Sequence, residues 1–269
     1  MKSTSISALP ARPTTAKIDL NRYVDVSGTR VRYMEAGRGH TGAALLLVHG
    51  YNGSCDYWHP RTLAGLAAER HVIALDLPGN GLSGKLREHT LDAYVDFIPA
   101  FLDSLGLDTV DLLGHSMGGQ VAIAAVAAHP RRFRKLVLVD SAGLPELVKL
   151  HWLAPFKMLT DSCMRQVSLY PSYIKIALRA RTPWEGLDIV RNRGISRSLK
   201  SLAIPTLIIW GSRDRVVPLE HGAFMAKHIQ GARLVIMRGA GHMPFYQKPE
   251  EFNRLVLTFL RLQTEQVEG

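Results

Sequence analysis

Cysteine is nearly absent. The 269-residue chain has two, Cys55 and Cys163, and they fall in no metal-ligand or redox spacing. That excludes a disulfide framework and a cysteine-based zinc module, and it suits a reducing compartment. Long apolar runs are missing as well, since none approaches the roughly 18 residues needed to cross a bilayer. The opening stretch, MKSTSISALPARPTTAK, has no acidic residue and no apolar core of a secretory signal, so residues 1–17 read as a solvated tail. The expected location is cytoplasmic; an organelle transit peptide would share some of this bias, and a solvated tail is the preferred reading.

Acidic residues are in deficit. Asp and Glu number 23 against 33 Lys and Arg, for a net charge of +10. That permits attraction to anionic surfaces. Zinc-finger spacing, RNA-binding aromatic motifs and a continuous basic helix are all lacking, so nucleic acid is not an expected partner.

What is present is a regular alternation. RVRYMEAG and the segment before it read as an antiparallel hairpin. AALLLVHG is a strand apolar on both faces, DYWHPRTLAGLAAE is helical, and HVIALDLPG is a strand ending at a Pro-Gly break. TLDAYVDFIPAFLDSLG reads as a helix capped by Thr90 and stopped by Gly106. TVDLLGHS, KLVLVDSAG, IPTLIIWG and RLVIMRGAG are further strands. MGGQVAIAAVAAHP, LEHGAFMAKHIQG and KPEEFNRLVLTFLRLQTE are helices, the last with Pro249 near its first turn. Two-sided apolar strands alternating with helices indicate an α/β fold, with a mostly parallel sheet covered on both sides.

Residues 144–200 break the rhythm. They read as short helices interrupted by prolines, inserted between two sheet strands. The expected organisation is a tail (1–17), a core (18–143 and 201–269) and a helical cap insertion (144–200). The cap lies over the strands' C-terminal edge, where open α/β sheets bind ligands.

Chemistry concentrates at Gly114-His115-Ser116-Met117-Gly118. A serine on a sharp strand-to-helix turn needs small neighbours two positions away on each side, which is the nucleophile-elbow spacing G-x-S-x-G. Such a serine needs a base, and the base needs an orienting acid. Among eleven histidines, His242 in GAGHMPF follows the last strand on a loop that could reach back to the elbow. His221 and His228 fall on a polar helix and read as solvated. His115 should point elsewhere in so tight a turn, and His49 reads as a loop brace. For the acid, Asp214 in WGSRDRVVP lies just past a strand end, between Ser116 and His242 in the chain. Asp140 in LVLVDSAG is its competitor, and Asp214 is favoured. Oxyanion stabilisation needs backbone N–H donors. Met117 at a helix N-terminus supplies one, and Tyr51, after His49-Gly50, supplies the other.

Taken together, LLLVHGYNGSCDYW, VIALDLPGNGLS, LLGHSMGGQVAI, LVLVDSAG, IPTLIIWGSRDRVVP and GAGHMPFYQKPEEFNRLVLTFL resemble the α/β-hydrolase superfamily, in its order, from about Val24 to Leu262. The resemblance implies a three-layer fold with an eight-stranded, mostly parallel sheet and no cofactor or metal. It implies the same roles for Ser116, Asp214 and His242.

Fold does not decide reaction. Dehalogenases and epoxide hydrolases of this superfamily use an aspartate nucleophile, which Ser116 argues against. Carbon–carbon bond hydrolases usually place tryptophan after the catalytic histidine and carry a GGGPG-type loop. Here Met243 follows His242 and the glycine run is missing. Cofactor-free haloperoxidases share the triad. Proline iminopeptidases usually carry a G-G-S-W-G elbow, which is absent. A non-catalytic binder on this fold often lacks a triad member, and none is lacking here. The expected activity is therefore serine-dependent cleavage of a carboxylic ester.

The cap span holds much of the charge. From Glu146 to Lys200 there are ten basic and four acidic residues, +6 of the total +10, with Trp152, Phe156, Tyr170 and Trp184 among them. Such a cap suits a medium or long acyl chain, or peripheral contact with an anionic membrane. The plainer account is a solvated charged face over a generic pocket. The substrate and the oligomeric state are not legible.

Overall fold

The computed structural model describes residues 18–58, 60–144, 189 and 195–262. Eight strands form one sheet: β1 (Ile18–Val26), β2 (Thr29–Ala36), β3 (Ala44–Val48), β4 (Val72–Leu75), β5 (Val110–His115), β6 (Phe133–Val139), β7 (Thr206–Gly211) and β8 (Arg233–Met237). Their order is β1-β2-β4-β3-β5-β6-β7-β8. The β1–β2 hairpin turns at Ser27 and Gly28, both at positive φ (50° and 83°), as a tight two-residue hairpin turn demands. β2 pairs antiparallel with β4, and every pair from β4 to β8 is parallel.

Strands β3, β4, β5 and β7 are buried along their whole length. Covering layers explain this. On one face pack α2 (Leu91–Ser104), α3 (Met117–Ala128) and α5 (Leu219–His228), and on the other α1 (Arg61–Ala67) and α7 (Pro249–Arg261). The short helices α4 (Ser196–Leu199) and α6 (Pro244–Gln247) complete the described set.

Local chemistry sets the element ends. Thr90 Oγ1 accepts the Ala93 N–H at 3.1 Å and caps α2, while Gly106 ends that helix at φ 67°. Helix α7 begins with Pro249 and two glutamates and buries Phe252, Val256, Phe259 and Leu260. That i, i+4, i+7, i+8 stripe faces the sheet, and each fully buried side chain contributes roughly 1.5–3 kcal/mol. Lys135, buried in β6, locks the helix's far end. Its Nζ donates to the carbonyls of Phe259 and Leu260 at 3.3 and 3.0 Å, and to that of Leu262.

Two local readings change. The helical stretch after β3 is split into a 3-10 turn (Cys55–Trp58) and α1, with Pro60 before the first residue of α1. Pro60 cannot donate to a continuing helix. His221 is buried, at 3% exposure, and not solvated. It lies on the inner face of α5, where Gly222 packs against Trp210 of β7. His228 is half-buried, stacked on Phe224 at 3.9 Å.

The expected tail, 1–17, lies outside the described residues. So does most of the span read as a cap. At its margins, Leu144, Ile189, Ile195 and Leu199 are buried in the core, and α4 packs on α3.

The strand order reverses between β3 and β5. Crevices at such a switch point, beyond the strands' carboxyl ends, are where this kind of sheet binds ligands.

Candidate active site

Register brings the site together. Val48 of β3 lies opposite Gly114 of β5, so the loop after β3 meets the turn after β5. Ser116 occupies that turn at φ 54°, ψ −119°. A non-glycine residue there stores on the order of 1–3 kcal/mol of strain. The turn is held by the Ser116 N–H donating to Val139 O and by Ser116 O accepting from Gly119 N, Gln120 N and Ala142 N, all within 3.2 Å.

The flanking glycines answer to close approach. A Cβ on Gly114 would sit 2.4 Å from Gly118 O, and one on Gly118 would sit 2.4 Å from both Val48 O and His49 O. Only glycine lets α3 start so near the strand ends.

His242 lies between β8 and α6 and is 2% exposed. Its Nε2 is 3.1 Å from Ser116 Oγ, and its Nδ1 is 2.8 Å from Asp214 Oδ2. Asp214 is past the end of β7 with its side chain fully buried. Its Oδ1 accepts the N–H groups of Val216 and Val217 at 2.7 and 3.0 Å, a local turn that aims the other oxygen at the histidine. These partners assign the tautomer: Nδ1–H donates to the carboxylate, leaving the Nε2 lone pair to take a proton from Ser116.

The expected oxyanion donors border the same turn. Met117 is the first residue of α3. Gly50 precedes Tyr51 and lies against the elbow, where a Cβ on it would be 3.0 Å from Ser116 Cβ. His49 braces this loop. Its Nε2 accepts the Leu77 N–H at 2.9 Å, so its Nδ1–H donates to Gly50 O at 2.7 Å. Burial lowers the His49 pKa and keeps the ring neutral. The carbonyl of Gly50 and the N–H of Tyr51 belong to one planar trans peptide, so fixing the carbonyl turns the N–H the opposite way.

Three supports have no signature in the sequence. His115 Nε2 donates to the His242 carbonyl at 2.8 Å, and its ring packs on His242 at 4.8 Å and on Phe245 at 4.9 Å. Burial and the neighbouring His242 hold its pKa well below the ordinary imidazole value. Gly211 supplies the second. A Cβ there would lie 2.1 Å from Gly241 O, so its bareness lets the histidine loop seat against β7. The third is a buried polar brace. Asp76, fully buried, accepts from Cys55 N and Leu82 N at 2.7 Å each. Arg32 pairs with Asp56 through two bonds of 2.7 and 3.0 Å. Burial opposes the Arg32 charge, yet the Asp56 hydrogen bond and nearby carboxylates hold its pKa above the usual guanidinium value.

Asp140, the competing acid, sits at the end of β6 at φ 43°, fully buried. One oxygen accepts the Gly211 N–H at 2.8 Å. Among the described residues, His115, Asp140 and His242 bring potential ligand atoms within 4.8 Å of one another. His115 Nε2 is already committed to a carbonyl, and His242 to Ser116 and Asp214. Ser116, His242 and Asp214 stand in line as a hydroxyl, an imidazole and a carboxylate, an arrangement that can pass a proton from Ser116 Oγ to His242 Nε2.

The sequence profile of the alpha/beta hydrolase family matches residues 45–255. The chain belongs to this family. It is 33% identical over 261 residues to the dihydrolipoyllysine-residue acetyltransferase component of the acetoin cleaving system of Pseudomonas putida, covering 88% of this chain and 68% of that protein. It is 28% identical over 277 residues to the 2-hydroxy-6-oxo-6-phenylhexa-2,4-dienoate hydrolase of Comamonas testosteroni, covering 88% and 93%. The crystal structure of the enol-lactonase from Burkholderia xenovorans superposes with a TM-score of 0.77 at 22% identity, covering 89% of this chain and 99% of the other. That last likeness bears on the fold alone. No helix among the described residues is long and apolar enough to cross a membrane.

Proposed function

We propose that the protein is a serine hydrolase that cleaves a carboxylic ester through an acyl-enzyme on Ser116. The observation that carries this is the continuous relay from Asp214 through His242 to Ser116, at 2.8 and 3.1 Å. Ser116 Oγ attacks the ester carbonyl while His242 Nε2 takes its proton. Asp214 stabilises the imidazolium that forms. The N–H groups of Tyr51 and Met117 bind the oxyanion. His242 then protonates the departing alcohol. Water, losing its proton to His242, attacks the acyl-enzyme and releases the acid. No step calls for a cofactor or metal.

Residues 144–200 form the cap in this proposal; a solvated charged face over a generic pocket is the plainer account of their content, which would also suit a medium or long acyl group or peripheral contact with an anionic membrane surface. The expected setting is the cytoplasm.

A second reading rests on the Comamonas testosteroni relative, whose name is that of a carbon–carbon bond hydrolase acting on a dienoate. The same three residues would serve that reaction. Met243 after His242, where such enzymes usually have tryptophan, keeps it second. The Pseudomonas putida relative is named as an acyltransferase component, and an acyl group on Ser116 could equally be taken by an acceptor other than water. Haloperoxidase-like chemistry and a non-catalytic binder remain the other outcomes.

One experiment separates ester hydrolysis from the carbon–carbon reading and from a binder. Short esters, long acyl esters, monoacylglycerols, lactones and vinylogous diketones are screened with wild type and Ser116→Ala, alongside labelling by a fluorophosphonate probe. Ester turnover and labelling, both lost in Ser116→Ala, support the proposal. Turnover of diketones alone transfers it to the second reading. A folded wild type that neither labels nor turns over any of these substrates favours the non-catalytic binder.

A further inference from the structure

His242 has two carboxylates beside it. Asp214 follows β7 and donates no proton of its own to the relay, since its role is to receive the Nδ1–H. Asp140 ends β6, the strand between β5, which leads into Ser116, and β7, which precedes Asp214. An Asp140 carboxylate oxygen lies within 4.8 Å of a His242 ring nitrogen. The side chain is fully buried, and one oxygen is held by the Gly211 N–H at 2.8 Å. A backbone donor of that kind favours the ionised carboxylate.

Asp140 is also conformationally costly. Its φ of 43° is one of four positive values among the described non-glycine residues, and Ser116 is another. A side chain held by strain at the active centre, where a plain strand end would suffice, calls for an explanation at that centre.

Among the described residues, the groups facing His242 come from three places. Ser116 and His115 come from the elbow, Asp214 from the loop after β7, and Asp140 from the end of β6. His49 stands behind His115, lowering its pKa through their mutual repulsion. Burial keeps His115 and His49 neutral, so among the described residues the acidic side chains beside the imidazole are Asp214 and Asp140.

We propose that Asp140 is a second positioning carboxylate for His242. It holds the imidazolium electrostatically during each proton transfer, and it receives the Nδ1–H when Asp214 cannot. This rests on the roles assigned above to Ser116, His242 and Asp214.

The test is an NMR titration of His242, with its Nδ1–H resonance, in wild type, Asp140→Asn, Asp214→Asn and the double variant. Fluorophosphonate labelling rates are measured on the same four proteins against pH. A nearby carboxylate stabilises the imidazolium, so removing its charge must lower the His242 pKa. Asp140→Asn should lower it by about one pH unit or more, and the acid limb of the labelling profile should move down with it. Asp214→Asn should keep a hydrogen-bonded Nδ1–H and lose about 10–100-fold in labelling rate. The double variant should approach the roughly 10⁴-fold loss of a triad without its acid.

An unchanged His242 pKa in Asp140→Asn overturns the proposal. So does Asp214→Asn being as slow as the double variant. Should the double variant fail to fold, a loss of roughly 10⁴-fold in Asp214→Asn alone overturns it equally. A wild type that does not label overturns the hydrolase reading instead, and the titration still decides the role of Asp140.

Discussion

His115 donates its Nε2–H to the main-chain carbonyl of His242 at 2.8 Å. The residue immediately before Ser116 thus anchors the loop that carries His242. Serine and histidine are 126 positions apart in the chain, yet one side chain between neighbouring loops helps to set their separation. His115→Ala should lower kcat about 10–100-fold with a small change in KM, because misplacing the base by about 1 Å is enough. Leaving the buried carbonyl without a partner should cost about 1–3 kcal/mol in urea unfolding. An unchanged kcat in a protein destabilised by that amount would assign His115 to stability alone.

Gly211→Ala tests the seating of the same loop from the other side. The new Cβ would fall 2.1 Å from the Gly241 carbonyl, and backbone cannot yield as a side chain can. His242 should be pushed off Ser116. Probe labelling should drop by about 10²-fold or more while the far-UV circular dichroism stays that of the parent. Labelling at the parental rate would contradict the proposed fit.

Acid should destabilise the protein through two internal imidazoles. His49 and His115 have folded-state pKa values lowered by burial, so near neutral pH both the folded and the unfolded forms are neutral. Below about pH 6.5 the unfolded chain takes up protons that the folded chain refuses, so stability falls as pH falls. Each histidine contributes a slope of up to about 1.4 kcal/mol per pH unit there. Urea midpoints measured from pH 7.5 to 5 should decline accordingly, and the decline should be shallower in His115→Ala.

Lys135→Met keeps the stem and removes the ammonium that binds three carbonyls at the end of α7. The expected cost is about 1–3 kcal/mol. Hydrogen exchange should accelerate first at residues 257–261, since a cation at a helix C-terminus acts within its last turn. Uniform acceleration along the whole chain would instead mean a general loss of packing.

The legible and illegible parts of this molecule divide by distance along the chain. The elbow can be read because its constraints fall within five residues, Gly114 to Gly118. The cap at Thr90 and the stop at Gly106 are readable for the same reason. Asp214 and His242 need only the observation that each follows a strand. The supports do not announce themselves. That His115 meets the His242 carbonyl, or Asp140 the Gly211 N–H, follows from β6 lying between β5 and β7, and no short pattern encodes that adjacency. His221 looks solvated in the sequence because the polar composition of its helix conceals which side meets Trp210. The charge of residues 144–200 can be counted, but no repeating pattern there marks off separate elements.

The order of strands has a consequence for how the protein comes to be active. Ser116, His242, Asp214 and the loop after β3 hang from β5, β8, β7 and β3, and β6 must be in register between β5 and β7 before Ser116 and Asp214 stand at the right separation. Parallel pairing of such distant segments is slow to assemble. No half of the chain contains a working relay. In refolding from urea, secondary structure should therefore return well before reactivity toward a fluorophosphonate. Reactivity should appear only when the whole central sheet has closed, which makes Ser116 a reporter of the final step of folding.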